Sequence, residues 1–422
     1  MAAKKLILIV IDGLTPSMLE AAVERGDAPA LAQLLAIGDY RHAVSTFPSL
    51  TPVCLSSIAT GAHGDVHEIP HLVWWHRGEQ RLVEYGSSFG AVRAAGLTRS
   101  LRDTIFDLNR RHLGAGAVTI YEALEDAGYT AAAINITCYR GRTRHVAILP
   151  GLPAAYGPKR FFFYSLFASE LTGAPIAVRS RERGSIDAYA AAVGRWLVTR
   201  DGFDFLVYYL PDFDFASHAH GPEAAHEALA RADDAVAALY EAAGGLDEFL
   251  DRYAVVFCSD HGQTEVEHVA RLHVPGALVT ASNRAAMAYG DEPRALADSL
   301  ATQEGVDVVL FLEDGQVVAR RNGDEGQELL DEYPDGRARA LAALRNPNAG
   351  SVLVSAAPGW EFADLAGRHH AGGGSHGSLA AGDSLVPMLT VGVGPPPESI
   401  TQIAPLVLSH FGVEPPAYVR VA

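Results

Sequence analysis

The sequence predicts an α/β fold, a three-layer sandwich around a mostly parallel central sheet. Three observations lead to it. Short continuous apolar runs recur along the 422 residues, segments with a helical pattern separate them, and acidic residues and histidines collect where the runs end. A continuous apolar run suits a strand covered on both faces, as in a parallel sheet. Regular alternation of such strands with helices is the pattern of layered α/β proteins.

The elements follow in order. Lys5 to Ile11 is a strand, with six successive apolar residues from Leu6 and Asp12-Gly13 at its end. Pro29 to Ile37 reads as a short helix, and Ser49 to Thr60 as a second, with Pro52 in its first turn and Gly61 after it. Thr119 to Ala127 is a helix and Ala131 to Ile136 a strand. Ser185 to Thr199 is a helix, Phe203 to Leu210 a strand, Pro222 to Ala243 an alanine-rich helix and Tyr253 to Cys258 a strand. Val306 to Leu312 and Gln316 to Arg320 flank Asp314-Gly315, the signature of a hairpin. Met388 to Val393 is the last strand, with Pro387 expected just before it. Ile400 to Phe411 is the closing helix, whose start Pro405 could shift. Residues 68–115, 150–185 and 265–368 break the alternation and read as insertions into one catalytic domain spanning 1–422.

Composition narrows the function. The 33 Lys+Arg and 50 Asp+Glu give a net charge of −17 with His neutral. Stable nucleic-acid binding needs a surplus of phosphate-neutralising cations, which this chain lacks. Three cysteines, Cys54, Cys138 and Cys258, stand far apart and cannot all pair, which suits a reducing compartment. The N-terminal apolar run is too short to span a membrane, no cleavage site follows it, and no other run approaches about 20 residues. These features predict a soluble cytoplasmic protein without a membrane partner.

The strand ends carry the chemistry. Asp12, then Asp212 and Asp214, then Asp260 with His261 fall at carboxyl ends of predicted strands, where parallel sheets bind ligands. Asp214 and His218 have the i,i+4 spacing that puts two ligands on one helical face; Asp212 competes without that spacing. Gly372-Gly373-Gly374-Ser375-His376-Gly377 is too rich in glycine for a stable helix and presents His376 from a loop. Carboxylates with imidazoles suit Zn²⁺, with Mn²⁺ or Fe²⁺ as alternatives. Thr46 precedes the predicted helix start, where backbone N–H groups favour an anion. Taken singly, each of these could be a cap, a turn or a surface pair; their order along the chain favours a site.

The combination resembles the alkaline phosphatase superfamily, and within it the type I phosphodiesterase/nucleotide pyrophosphatase branch. The matching pieces are IVIDG at 9–13, STFPS at 45–49, ATGAHGDVHEI at 59–69, DFASHAHGP at 214–222, SDHG at 259–262, GGSHG at 373–377 and VPMLTVG at 386–392. The closing 400–416 stretch is similar to that superfamily's terminal helix. The resemblance implies two divalent metal ions. Asp12, Asp260, His261 and the Thr46 oxygen would hold one; Asp214, His218 and His376 would hold the other. It implies Thr46 as nucleophile, forming a phospho- or nucleotidyl-threonine intermediate, and a small phosphorylated substrate such as a nucleotide. Ser49 stands where the branch has an Asn that holds a phosphate oxygen, which makes it the candidate substrate-binding residue.

Several alternatives stay open. A phosphonate hydrolase of the phosphonoacetate type or a phosphomonoesterase could use the same frame. A noncatalytic, metal-stabilised binding protein is the reading from another class. The sulfatase signature is excluded, because Cys54-Leu55-Ser56-Ser57-Ile58 has neither its Pro nor its Arg. His67 reads as structural, and His220 stays undecided. Trp74, Trp75 and Phe161 to Tyr164 could stack a nucleobase, or form the core of the insertions.

Overall fold

A computed structural model describes residues 3–167 and 185–419. Part of the 150–185 stretch, residues 168–184, lies outside the described residues. The chain runs through β1 (Lys5–Ile11), α1 (Pro16–Arg25), α2 (Pro29–Ile37), β2 (Asp39–Val44) and α3 (Thr51–Thr60). A small hairpin, β3 (Val73–His76) with β4 (Arg81–Glu84), precedes α4 (Ile120–Asp126), β5 (Ala131–Ile134) and β6 (Arg160–Phe162). Then come α5 (Ile186–Arg200), β7 (Phe205–Leu210), α6 (Asp212–His220), α7 (His226–Ala243) and β8 (Tyr253–Cys258). After β9 (Leu278–Ser282), β10 (Ala285–Tyr289), β11 (Val306–Glu313), β12 (Gln316–Arg321), α8 (Gly336–Leu344) and β13 (Val352–Ala356), the chain closes with β14 (Leu385–Val391) and α9 (Ile403–His410).

The central sheet has the order β2-β14-β8-β1-β7-β5-β6. Strands β8, β1, β7, β5 and β6 run parallel to one another. Only β14 runs against the two strands beside it. The continuous apolar run of β1 explains its central place. Side chains alternate across a strand, so Leu6, Leu8 and Val10 enter one core, and Ile7, Ile9 and Ile11 enter the other. The first core also takes Val53 and Ile58 of α3, Leu124 of α4 and Val407 of α9. The second takes Leu19 of α1, Leu31 of α2, Val193 of α5 and Val236 of α7. Helices thus cover both faces, and the fold is the expected three-layer sandwich.

The expectations differ from the structure mainly at element ends. The helix expected from Ser49 starts at Thr51, and the one expected from Pro222 starts at His226 after a short tight turn, Glu223–Ala225. Pro387 lies inside β14, not before it. It faces His42 of β2, one residue beyond Met388, the last residue paired with β8, so its missing N–H interrupts no ladder on that side. The sequence reading had no element at α1 or β2. Within 265–368 the strands β9, β10, β13, β11, β12 and Asp324–Glu325 form a second, antiparallel sheet. The hairpin turn at Asp314-Gly315 is as expected, with positive φ at both residues. No helix among the described residues is long and apolar enough to cross a membrane.

Candidate metal centre and active site

Two compact sets of side chains that could each hold a metal ion gather at the carboxyl ends of the central strands. Asp12 follows β1, and Asp260 with His261 follows β8; these three form one set. Asp214 and His218, one turn apart on α6 directly after β7, form the other with His376. Within each set the ligand atoms lie within 4.8 Å of one another. All six are buried except His218, which is half-buried. Asp212 is not part of either set: its carboxylate accepts from the Ser185 hydroxyl and the N–H groups of Ile186 and Asp187, at the start of α5. His220 is exposed at the end of α6. His67 is sealed in the core against the Ser57 hydroxyl, 3.1 Å away.

Glycine lets these loops approach. A Cβ on Gly373 would lie 2.1 Å from the His218 carbonyl, and one on Gly262 2.2 Å from the Gly382 carbonyl. The three imidazoles are oriented alike. Nδ1 of His218 donates to the Gly374 carbonyl at 2.7 Å, that of His376 to Ser49 at 2.8 Å and that of His261 to Gly262 at 3.1 Å. A carbonyl can only accept, so each Nδ1 carries hydrogen and each Nε2 is left for a ligand, the usual arrangement of metal-binding histidines. The Nε2 atoms lie 3.3 Å (His218) and 3.8 Å (His376) from Asp214 oxygens and 3.2 Å (His261) from Asp12 Oδ1.

The electrostatics fit a dication. Burial, and then the neighbouring Asp214 carboxylate, raise the Asp12 pKa; burial and the charge of Asp12 raise that of Asp260. Burial opposes ionisation of Asp214 too, but His218, His376 and His261 hold its carboxyl well below the usual range. Burial and nearby His261 keep His376 neutral. Asp12 Oδ1 and Asp260 Oδ2 are buried without a hydrogen-bond partner. Three carboxylates packed this closely, with two orphaned oxygens and three imidazole Nε2 atoms turned towards them, offer the N/O donor set of a divalent transition metal.

The threonines do not fall as the sequence reading expected. Thr46 is buried, with its hydroxyl 3.7 Å from Cys54 Sγ and its carbonyl taken by Arg339 Nη2 at 3.1 Å. It is not in the wall of the cleft. Thr51 is the first residue of α3, lines the cleft, and holds its hydroxyl 3.1 Å from His261 Nε2. Ser49, the expected substrate contact, also lies outside the cleft wall; its hydroxyl donates to the Ser378 carbonyl at 3.0 Å, and its own carbonyl orients His376. The signal for Thr51 was present in the sequence. Proline favours the first turn of a helix, so the hydroxyl beside Pro52 stands at the helix N-terminus.

The cleft above the two sets is a cavity of about 360 Å³. Asp12, Thr51, Asp214, His218 and His376 line it, together with Asn135, Tyr209, Phe163, Tyr164 and Asn283. Phe163 and Tyr164 therefore reach the cleft. Trp74, Phe161 and Phe162 are buried in the packed interior instead, and Trp75 is half-buried in its hairpin. Sequence reasoning missed several partners of the ligands. Tyr209 donates to Asp12 Oδ2, Gln263 to Asp214 Oδ1, and His370, tied to Glu361 at 2.6 Å, stacks on His218 with ring centroids 4.1 Å apart.

The family model for type I phosphodiesterase/nucleotide pyrophosphatase matches residues 6–379. The chain belongs to that family. As a member of this phosphodiesterase/nucleotide pyrophosphatase family it is a metal-dependent hydrolase of phosphoric esters. Murine ectonucleotide pyrophosphatase/phosphodiesterase 5 is similar in fold, with a TM-score of 0.64 at 13% identity over 98% of this chain and 96% of that one. Phosphonoacetate hydrolase from Sinorhizobium meliloti 1021 is similar to the same extent, with a TM-score of 0.64 at 19% identity over 97% and 96%. A search of curated proteins by sequence finds no significant match.

Proposed function

We propose that this enzyme cleaves phosphoric diesters, nucleotides among them, with Thr51 as its nucleophile. The carrying observation is the Thr51 hydroxyl, at a helix N-terminus in the cleft wall and 3.1 Å from His261 Nε2. Asp12, Asp260 and His261, with the Thr51 oxygen, would hold one divalent ion, and Asp214, His218 and His376 the second; Zn²⁺ suits both sets. Such ions lower the pKa of a hydroxyl or water and compensate charge on the entering and leaving oxygens.

The protein groups do the rest. The positive end of the α3 dipole, where Thr51 stands, stabilises negative charge growing on the phosphoryl group. Thr51 Oγ attacks phosphorus, its proton passes to water, and the bond to the leaving alcohol or nucleotide breaks as a phospho- or nucleotidyl-threonine forms. Water then attacks the same phosphorus and restores the hydroxyl. Two in-line displacements retain configuration at phosphorus. Murine ectonucleotide pyrophosphatase/phosphodiesterase 5 supports both parts of the reading, since a threonine-to-alanine form described as inactive has been crystallised with AMP. All three cysteines are buried and free, which favours a cytoplasmic location.

A substrate panel on the metal-loaded protein tests this. Activity on bis-p-nitrophenyl phosphate well above that on the monoester, lost in Thr51→Ala with metal retained, is expected. Preference for phosphonoacetate would favour a C–P hydrolase on the same frame. Hydrolysis unchanged in Thr51→Ala would overturn the assignment of the nucleophile.

A further inference from the structure

The tip of a hairpin in the second sheet reaches the metal centre. Ser282 pairs with Ala285 across β9 and β10, so Asn283 and Arg284 alone form the turn. Arg284 anchors it. Its guanidinium, fully buried, bonds Asp383 Oδ1 at 2.8 Å and the carbonyls of Ala357 and Trp360 at 3.0 Å each. Its own N–H donates to the His376 carbonyl at 2.9 Å. The second oxygen of Asp383 receives the backbone N–H and the hydroxyl of Ser378, two residues after His376. Hairpin tip and ligand loop are thus fixed to one another.

Asn283 points into the cleft from this anchored turn. Its φ of +56° is one that asparagine tolerates better than most residues. It is only 4% exposed and lines the cavity. Its Oδ1 accepts from Ser282 Oγ at 2.8 Å, and its Nδ2 lies 3.1 Å from His376 Nε2. That nitrogen carries a lone pair, because Nδ1 of the same ring carries the hydrogen. One lone pair cannot both accept this N–H and bind a cation. With a metal on His376, the Asn283 amide loses its partner at a buried position, where an unmade hydrogen bond is costly. An anionic oxygen beside the metal is the acceptor that restores it.

We propose that Asn283 is a substrate-binding residue, whose Nδ2–H donates to a non-bridging oxygen of the phosphoryl group in the cleft. This rests on the hydrolase reading above. Neither Ser49, two residues before the start of α3, nor Cys54, three residues after it, can serve instead: the Ser49 hydroxyl is held by Ser378 and the Cys54 thiol faces Ser45 and Thr46.

The test uses the zinc-loaded chain and two variants that both tolerate the turn, Asn283→Gly and Asn283→Asp. Calorimetric titration with orthovanadate is expected to show binding at least tenfold weaker in Asn283→Gly and weaker still in Asn283→Asp, where a carboxylate would face the anion. Zinc content should stay at the wild-type value, and kcat/KM for bis-p-nitrophenyl phosphate should fall about a hundredfold, as for loss of one preorganised donor. Vanadate affinity within twofold of wild type in both variants would overturn the proposal. So would loss of zinc, which would make Asn283 a support for His376. A wild-type chain that binds vanadate through Asn283 but hydrolyses no phosphoric ester would uphold this inference and retire the functional reading.

Discussion

Thr51 Oγ1 stands 3.1 Å from His261 Nε2, while Thr46, five residues earlier, turns its hydroxyl to Cys54 in the interior. Of the two threonines in one short segment, only Thr51 is in the cleft wall. Thr51→Ala should lower kcat for a diester by at least 10³-fold, the scale seen for loss of a catalytic nucleophile. Thr46→Val should keep kcat within tenfold. Steady-state kinetics on both variants decides between them, and the opposite ranking would return the role to Thr46.

Metal removal should affect folding as well as chemistry. The buried carboxylates of Asp12, Asp214 and Asp260 repel one another without a cation. EDTA is expected to abolish diester hydrolysis and lower Tm. Zinc at a hundred times its Kd should add about 2.7 kcal/mol per independent site relative to the stripped chain. Two equivalents bound per chain, read by elemental analysis, is the expected stoichiometry; activity that survives EDTA with no metal left would contradict the two-ion centre.

Acid should unfold the protein early, for a reason outside the site. Burial pushes the pKa of His67 down to about 3, of His71 to about 4 and of His112 to about 3. In the unfolded chain each would titrate near 6.5. Between those limits the unfolded state binds more protons, so this stability is complete above about pH 6.5 and is lost as pH falls towards 3–4. Each histidine adds up to about 1.4 kcal/mol per pH unit to the slope. Urea midpoints measured from pH 8 to pH 4.5 should be flat and then fall, and His67→Gln should make the fall shallower. A midpoint unchanged down to pH 4.5 would show that these rings are not held neutral.

The buried ion pair of Arg284 and Asp383 should be a structural weak point. Arg284→Met leaves the Asp383 carboxylate buried without its counter-ion, a change that costs about 3–5 kcal/mol. Because the same arginine anchors the turn that bears Asn283, kcat/KM should fall further than the loss of folded protein accounts for. Chemical denaturation with activity measured per folded molecule separates the two effects.

Much of the centre was legible because it depends on local rules. Asp214 and His218 needed only the helical repeat, Asp12 and Asp260 only their place after apolar strands, and His376 only its glycine neighbours. The family resemblance joined them in one order. The ring orientations were not legible, since the acceptors of Nδ1 on His218 and His376 come from Gly374 and Ser49, far along the chain. Nor was Asn283, which reaches His376 from a hairpin 93 residues earlier.

The sequence by itself determined the layered α/β fold, the family and which six carboxylates and imidazoles to look for at the strand ends, because apolar runs, helical spacing and glycine flanks act over a few residues. Only the tertiary structure decided which hydroxyl stands beside His261. Both Thr46 and Thr51 precede or begin the same helix. The choice depends on where the first helical turn starts, and on what surrounds each side chain. Packing against Cys54 closes off Thr46, and convergence of the ends of β1 and β8 on the start of α3 brings His261 to Thr51. The contact of Thr51 with His261 joins segments 210 residues apart, so a local pattern can place a hydroxyl at the helix start but cannot choose between the two threonines.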